Sequence, residues 1–492
     1  MSQTCDVLII GGGVVGCMVA RFLSQYDQKI ILIEKEADVG MGASSANSAI
    51  IHAGHDPLPG TLKAAMNTRA NPMWDTVAAE LSVPFERRGS YVVASRPEQM
   101  ARLEELLQRA RQNGVPGAVI LTGDELRTRE PALSPEACGA LFTPSAGLID
   151  TLLISLAAAE NALQNGVQIL LETAFEDFLF EGRRIVGVRT NRGEIRCRWV
   201  VNAAGLFSDE VMHKAGVRPD FRITPRRGEY CILDQAETSI HNVLFPVPSE
   251  VSKGILVLAS LHGNTLVGPD SQLVAEKDNE DITPQGMEEI WNGAAQLVPS
   301  LNPRHVIATF AGLRATGNAS TPGLDYHHDF IIEIPAEVQG LVNLGGIESP
   351  GLTAAPAIAE RVIELLRDAG EKLTPRKDWN PIRTPRPRFR ELSRAEQAAL
   401  IAKDPRYGRV ICRCELVTEG EIVAELHGPI PARTYDAIKR RTWLGTGRCL
   451  GSFDMPRVVQ IMAQELGVSP IEITKRGVGS NFLTRPTKAV EE

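Results

Sequence analysis

Two groups of residues have the types and spacing to do chemistry. The first is Gly11-Gly12-Gly13-Val14-Val15-Gly16, a G-x-G-x-x-G turn, with Glu34 standing 18 residues beyond Gly16. Such a turn takes the pyrophosphate of a dinucleotide. Gly11 permits the tight turn, Gly13 lets backbone approach the phosphates, and Gly16 lets the following helix pack on its strand. A helix opening at Val14 and Val15 turns its N–H groups and positive end to the phosphates. Glu34, followed by Lys35, ends the second strand, where its carboxylate can accept ribose hydroxyls. The second group is Cys412-Arg413-Cys414 with Cys449, three thiols that sit together at the C-terminal end and need their own explanation. The other five cysteines, Cys5, Cys17, Cys138, Cys197 and Cys231, are scattered and read as small buried hydrophobes.

The first group needs a parallel sheet. Asp6 to Ile10 and Lys29 to Ile33 read as buried strands on either side of the glycine turn. The small-residue stretch Gly42 to Ala49, which holds Ser44, Ser45 and Asn47, permits backbone to lie against a flat or phosphorylated ligand. Trp199 to Asn202 is a further buried strand, ending in Ala203-Ala204-Gly205, where the chain can make a second close contact. Leu341 to Gly346 is the last such strand. After it comes a loop holding Gly351, Leu352 and Thr353, and then a helix expected from Pro356 to about Leu366, with proline in its first turn. The N-terminal dipole of that helix faces the loop.

Between these pieces, residues 222–335 are rich in strands: Gly228 to Leu233, Gly254 to Leu258, Asn264 to Gly268, Val306 to Phe310 and Asp329 to Ile334. A helix near 284–297 interrupts them. The pattern predicts an antiparallel substrate layer inserted into the nucleotide fold. Residues 374–390 carry four prolines and six Lys/Arg against one acid, Asp378, which reads as a solvated linker. In the module that follows, Thr418 is placed to cap a helix starting at Glu419.

At 492 residues the chain is too long for one core. It is 43% hydrophobic and 23% charged, with a formal charge of −8, which gives no global case for nucleic acid or an anionic membrane. No apolar run reaches membrane-spanning length, and the N-terminus has no basic region of the kind that opens a signal peptide. The expected place is the cytoplasm. Oligomeric state is left open.

Three stretches carry a resemblance: Asn47 to Gly54, Asn202 to Asp209 and Gly346 to Thr353. Together with the first turn they resemble the glutathione-reductase-type flavin fold in its D-amino-acid-oxidase branch. Within that branch they look like the L-2-hydroxyglutarate oxidase group, with the large subunit of anaerobic glycerol-3-phosphate dehydrogenase as a neighbour. The resemblance implies FAD as the dinucleotide, held by Gly11, Gly13, Val14, Val15, Gly16, Glu34, Lys35, Ser44, Ser45, Asn47, Ala204, Gly205, Gly346, Gly351, Leu352 and Thr353. It implies an α/β FAD-binding fold over residues 1–373, with flavin parts near 1–85, 145–215 and 340–370 and substrate parts near 86–144 and 216–339. A linker at 374–403 and a small α-rich module at 404–492 complete the chain.

Oxidising a small anionic hydroxy compound needs a cation for its charged group and a base for its hydroxyl proton. Arg314, in Phe310-Ala311-Gly312-Leu313-Arg314, matches a substrate-facing arginine of the family, and Lys253 is a second cation. His55 and His262 are better placed to meet substrate than His52, which resembles a packing contact beside the flavin ring. His327-His328 beside Asp329 is a solvated loop pair before a metal site. The C-terminal module resembles the bacterioferritin-associated-ferredoxin-like domain, which holds a [2Fe-2S] cluster by C-x-C and C-x4-C. In this chain Asp454 stands where the fourth cysteine would be. A cluster ligated by Cys412, Cys414, Cys449 and Asp454, a zinc site on the same residues and an emptied structural module all remain open. The implied enzyme is an FAD-dependent dehydrogenase of a 2-hydroxy acid or polyol phosphate. Its electrons would leave through the cluster to an acceptor protein or quinone. The alternatives are an oxidase returning electrons to oxygen and a non-catalytic electron-transfer subunit.

Overall fold

A computed structural model describes residues 3–235, 240–248, 254–319 and 328–485. Strand β1 (Val7–Ile10) is buried along its whole length, as a central parallel strand must be. It feeds α1 (Val14–Leu23), and the chain returns as β2 (Ile30–Ile33), in parallel register with Val7 opposite Ile30. Farther on, Asp150 caps α2 (Thr151–Gln164) by accepting the N–H groups of Leu152 and Leu153, both at 3.1 Å. Then β3 (Gln168–Leu170) pairs with β2, and β4 (Trp199–Asn202) pairs with β1 on its other side.

Two long strands, β5 (Ile223–Leu233) and β6 (Val306–Gly317), pair antiparallel along almost their full length. They belong to a nine-stranded substrate sheet. That sheet is mixed rather than purely antiparallel, because Val243–Pro246 lies parallel to Ser90–Ala94. The helix expected near 284–297 is present as Pro284–Leu297. Strand β7 (Ile331–Glu333), expected in the substrate layer, instead lies antiparallel to β8 (Leu341–Gly345) at the edge of the nucleotide sheet. Burial decides this: Ile332 joins the same core as Val342 and Leu344. The nucleotide sheet therefore runs β3-β2-β1-β4-β8-β7.

Helix α3 (Gly351–Asp368) starts five residues before the position expected from Pro356, which lies inside it. Its first turn is therefore Gly351 to Ala354, and the N–H groups freed there belong to the loop motif itself. The two faces of β1 bury different neighbours, as alternation along a strand requires. Val7 and Ile9 pack with Met18, Ile154 and Ile358 of the three helices. Leu8 and Ile10 pack with Val188, Ile195 and Met212 on the opposite side.

The C-terminal module has three helices, α4 (Glu419–Leu426), α5 (Tyr435–Thr442) and α6 (Met455–Leu466), around one core containing Ile422, Ile438, Val458 and Met462. Thr418 caps α4 through a capping box with Glu421. The segment before it is no solvated linker. Arg383 donates to Glu160 at 2.6 Å, and Arg386 bridges Glu160 and Glu425, each at 2.6 Å. Six cations with one acid among them need acids from elsewhere: α2 and α4 supply those of Arg383 and Arg386, and Glu415 receives Arg390. Arg440 and Arg441 of α5 likewise donate to the buried Asp38 at 2.8 and 2.6 Å. Among the described residues, no helix is long and apolar enough to cross a membrane.

Candidate active site

The glycine turn, the Gly42 to Ala49 loop, the ends of β5 and β6 and the start of α3 surround one cavity of about 1540 Å³. A single small molecule fills roughly 300–1,000 Å³, so this cavity has room for a dinucleotide and a substrate together. Gly11 has φ +105°, and a Cβ there would lie 2.5 Å from the Ala203 carbonyl oxygen, so only glycine fits where β4 meets the turn. Glu34 Oε2 accepts the Gly12 N–H at 2.6 Å and Oε1 accepts the Glu36 N–H at 2.9 Å. Burial pushes this carboxyl above its usual range, against the pull of those two donors. Val14 N–H donates to Ser44 Oγ at 2.9 Å. Asn47 Nδ2 donates to Thr151 Oγ1 at 2.9 Å, which ties the loop to the start of α2.

Gly11, Gly13, Val14, Val15, Glu34, Lys35, Ser44, Asn47, Ala204, Gly205, Gly351 and Leu352 lie on the cavity wall. Four others expected there do not line it, and each has another position. Gly16 packs helix on turn, Ser45 turns back onto the Gly42 carbonyl, and Gly346 lies against β6 near Gly317. Thr353 is fully buried and accepts the His52 N–H at 2.9 Å.

The other half of the cavity carries charges of both signs, with Arg226, Arg314 and Lys63 on the same wall as Asp270 and Glu348. Arg314 lines it as expected, and opposite it across the β5–β6 pair stands Arg226, also on the wall. Gly312 makes the local geometry possible: a Cβ there would be 1.9 Å from the Ala46 carbonyl oxygen, so strand and loop meet only without one. Arg314 is held by the Asp270 carbonyl at 3.3 Å and neighbours the Tyr230 hydroxyl, which also meets Ser48. Tyr230 stacks on Phe310 at 4.6 Å, and burial raises its hydroxyl above the ordinary value. Lys63 donates to Glu348 Oε1 at 2.6 Å, and Thr316 Oγ1 donates to Oε2 at 2.6 Å. Burial drives the Glu348 carboxyl upward. The Lys63 charge, the two hydrogen bonds and the Arg314 charge outweigh it, and the group lies below its usual range. Lys253 and His327 lie outside the described residues.

The histidines are reordered. His52 lines the cavity. Its N–H is held by Thr353, its carbonyl accepts from Asn67 and Asn71 at 3.2 and 2.9 Å, and its Nε2 lies 3.5 Å from Ser349 Oγ. His55 is buried and off the wall. His262 is also off the wall: its ring packs on Trp443 of the C-terminal module with centroids 3.7 Å apart. Burial, with Arg388 and Arg390 nearby, pushes its pKa down to about 4. A turn between two strands of the substrate layer did not reveal which of its ends faces the cavity. Lys63, Arg226, Tyr230 and Glu348 went unnoticed for the same reason, since each sits in an ordinary helix, strand or loop pattern whose partners are distant in sequence.

The C-terminal donors form two pairs. Cys414 and Cys449 have their sulfurs 3.6 Å apart near the surface. Buried Cys412 stands beside buried Asp454, with the Gly445 N–H 3.5 Å from its sulfur. Tyr435 donates to Asp454 Oδ1 at 2.9 Å, and the buried Oδ2 has no hydrogen-bond partner among the described residues. No three His, Cys, Asp or Glu side chains among the described residues converge as a single metal ion requires. His328 Nδ1–H donates to the Gly317 carbonyl at 2.5 Å.

A family model described as "FAD dependent oxidoreductase" matches residues 6–365. The chain is 43% identical over 487 residues to a glycerol 3-phosphate dehydrogenase of Caloramator mitchellensis, covering 98% of this chain and 99% of the relative. It is 29% identical to the mitochondrial L-2-hydroxyglutarate dehydrogenase of Arabidopsis thaliana, over 73% of this chain and 83% of that one. Among solved structures, the dithionite-reduced L-alpha-glycerophosphate oxidase of Mycoplasma pneumoniae with FAD bound matches at TM-score 0.73 and 34% identity. It covers 78% of this chain and 100% of its own.

Proposed function

The chain belongs to the FAD dependent oxidoreductase family, and from that premise we propose that it oxidises glycerol 3-phosphate, or a polyol phosphate like it, at a carbinol carbon. The observation that carries this reading is the Arg226–Arg314 pair. Two like charges directly opposite on a sheet destabilise it. A phosphate dianion between two guanidinium forks removes that repulsion and receives charge-assisted bonds from both. The likeness to a glycerol 3-phosphate dehydrogenase along nearly the whole chain supports the same substrate.

FAD fits the cavity: Gly13 bears no side chain on the wall where phosphates would pass, and the Glu34 carboxylate has lone pairs left for ribose hydroxyls. When bound, FAD supplies the acceptor for the hydride equivalent from the carbinol carbon. The chain's own residues do the rest. Arg226 and Arg314 fix the phosphate, which sets the position of the carbon two bonds further along. His52 is the base: it stands on the cavity wall with Nε2 3.5 Å from Ser349 Oγ and takes the hydroxyl proton. Lys63 and Glu348, joined to Thr316, brace the wall between the loop of α3 and β6.

For the electrons' exit, the proposed site is the [2Fe-2S] cluster on Cys412, Cys414, Cys449 and Asp454. A two-iron cluster takes two protein ligands on each iron, and the donors stand as two pairs; a single zinc wants four converging ligands. Asp454 Oδ2, buried beside the Cys412 thiol and without a hydrogen-bond partner among the described residues, is a hard oxygen donor in the place of the fourth ligand. A cluster there would supply one-electron transfer to an acceptor protein or quinone. The test of the whole reading is anaerobic mixing of the purified protein with glycerol 3-phosphate and, separately, L-2-hydroxyglutarate. Loss of the flavin's visible absorbance with the first and not the second is expected. Bleaching by the hydroxy acid alone would reverse the substrate assignment, and bleaching by neither would point to an electron-transfer subunit.

A further inference from the structure

The C-terminal module does more than follow the flavin fold in sequence. Arg476, Gly477, Val478 and Ser480, from its last turn, stand on the wall of the same cavity as the glycine motif. The turn is tightly made. Lys475 N–H donates to the Ser480 carbonyl at 2.8 Å, and Ser480 Oγ donates to the Gly477 carbonyl at 2.6 Å while accepting the Arg476 N–H at 2.8 Å. It is fixed to α5, where Lys475 Nζ reaches Asp436 at 2.8 Å and the Tyr435 and Asp436 N–H groups donate to the Thr474 and Lys475 carbonyls. The other end of α5 is locked to Asp38 by Arg440 and Arg441. One helix thus carries the turn to the β2 end of the cavity, next to Glu34.

At that end Gly477 faces Ala37, since a Cβ on Gly477 would lie 3.4 Å from the Ala37 Cβ. Arg476 reaches across to Glu280, at 3.5 Å, on the loop after the substrate strands. Val478 stands on this wall as an apolar residue with 97% of its surface exposed. Glu34 marks the end of the cavity as the place of the adenosine ribose. A turn on the cavity wall beside Ala37, three residues beyond Glu34, is surface that a ligand held at Glu34 would meet.

We propose that the Arg476–Ser480 turn is a clasp over the adenosine half of bound FAD, with Val478 against the ligand and Arg476 closed onto Glu280. The C-terminal module is then part of the flavin site, and by linkage a bound flavin holds the module in place. This requires only that FAD binds at the glycine turn and is independent of which substrate is oxidised and of what the cysteines hold.

The test is titration of full-length protein, freed of flavin, with three probes: FAD, ADP as the adenosine half and FMN as the other half. Val478 makes little contact within the protein, so Val478→Asp should fold as before. It should weaken FAD and ADP about tenfold while leaving FMN unchanged. An FAD affinity within twofold of the unaltered protein overturns the clasp. So does an equal loss for FMN, since that would report general damage. Independently, Arg476→Glu should weaken FAD a fewfold, and adding Glu280→Arg should restore it. No restoration would mean that the two loops do not close on each other, and the proposal would fail.

Discussion

Replacing Arg314 by methionine keeps much of its aliphatic length and removes one fork of the anion site. In the free protein the change costs little. Arg314 hydrogen-bonds the Asp270 carbonyl at 3.3 Å; its loss relieves the repulsion from Arg226 across the strand pair but removes a charge that favours the Glu348 and Asp270 carboxylates. Relief of a like-charge pair is worth about 0.2–1 kcal/mol, and the lost attractions offset it, so the thermal midpoint should stay close to that of the unaltered protein. With substrate the balance shifts. A hydrogen bond to a charged group is worth about 1.5–3 kcal/mol, so capture should fall by about tenfold to about 150-fold, at about 1.4 kcal/mol per tenfold. The assay is anaerobic rapid mixing with glycerol 3-phosphate, reading flavin bleaching across substrate concentration, with flavin content checked beforehand. Arg226→Met should behave alike. The double variant should lose less than the two single losses combined, because each single change already removes the same two-armed grip. If Arg314→Met bleaches with a second-order rate constant within twofold of the unaltered enzyme, the phosphate is not bound at this pair.

Three other outcomes follow from the same geometry. Gly13→Val, which sets a branched side chain on the wall beside Ser44, should yield folded protein without its yellow flavin; a full complement of FAD by absorbance would refute the site. Lys63→Met should destabilise the fold most near neutral pH and less in acid. Glu348 is held below its usual value, so its stabilising share is present above the unfolded value of about 4.3 and is lost as pH falls through the lower, folded one. Denaturant midpoints that differ by the same amount at pH 7 and pH 3 would remove the pair from that role. Asp454→Ala should lower the iron and sulfide found per chain after anaerobic purification, and Asp454→Cys should raise their retention. One zinc without sulfide would make the module structural.

The sequence made legible what local pattern alone dictates. The turn from Gly11 to Gly16 could be read because its strand, helix and terminal acid lie within 30 residues, and nothing distant is needed to place them. Arg314 could be read only through its motif. Its partner Arg226 could not, since the pairing of β5 with β6 brings together residues almost ninety apart in the chain. That His52 rather than His55 or His262 lines the cavity was hidden for a related reason. His52 and His55 share one loop, and the hydrogen bonds that turn His52 to the cavity come from Thr353, Asn67 and Asn71. The start of α3 was misplaced because proline favours a first turn, yet here burial of Ala354, Ala355 and Ile358 carries the helix through it. The basic segment at 374–390 has the composition of a linker, and only the acids of α2 and α4 turn it into a strap.

Strand β5 sets the relation between the two chemical regions. Arg226 stands near its beginning, on the cavity. Just past its end, Asp234 receives Arg448, the neighbour of Cys449. Eight residues separate Arg226 from Asp234, which at about 3.3 Å per residue is about 26 Å of extended chain. On the proposed function, a three-carbon phosphate held at Arg226 cannot span that distance, which sets the substrate apart from Asp234 and the module it receives. The module is nevertheless seated firmly on the substrate layer, with Trp443 on His262 and Arg448 on Asp234. On the proposed function, oxidation of the substrate and any transfer at the cysteines are therefore separate events. Variants at Asp454 should leave the anaerobic bleaching rate untouched while altering turnover with an external acceptor. Variants at Arg226 or Arg314 should slow the bleaching and leave the metal content unchanged.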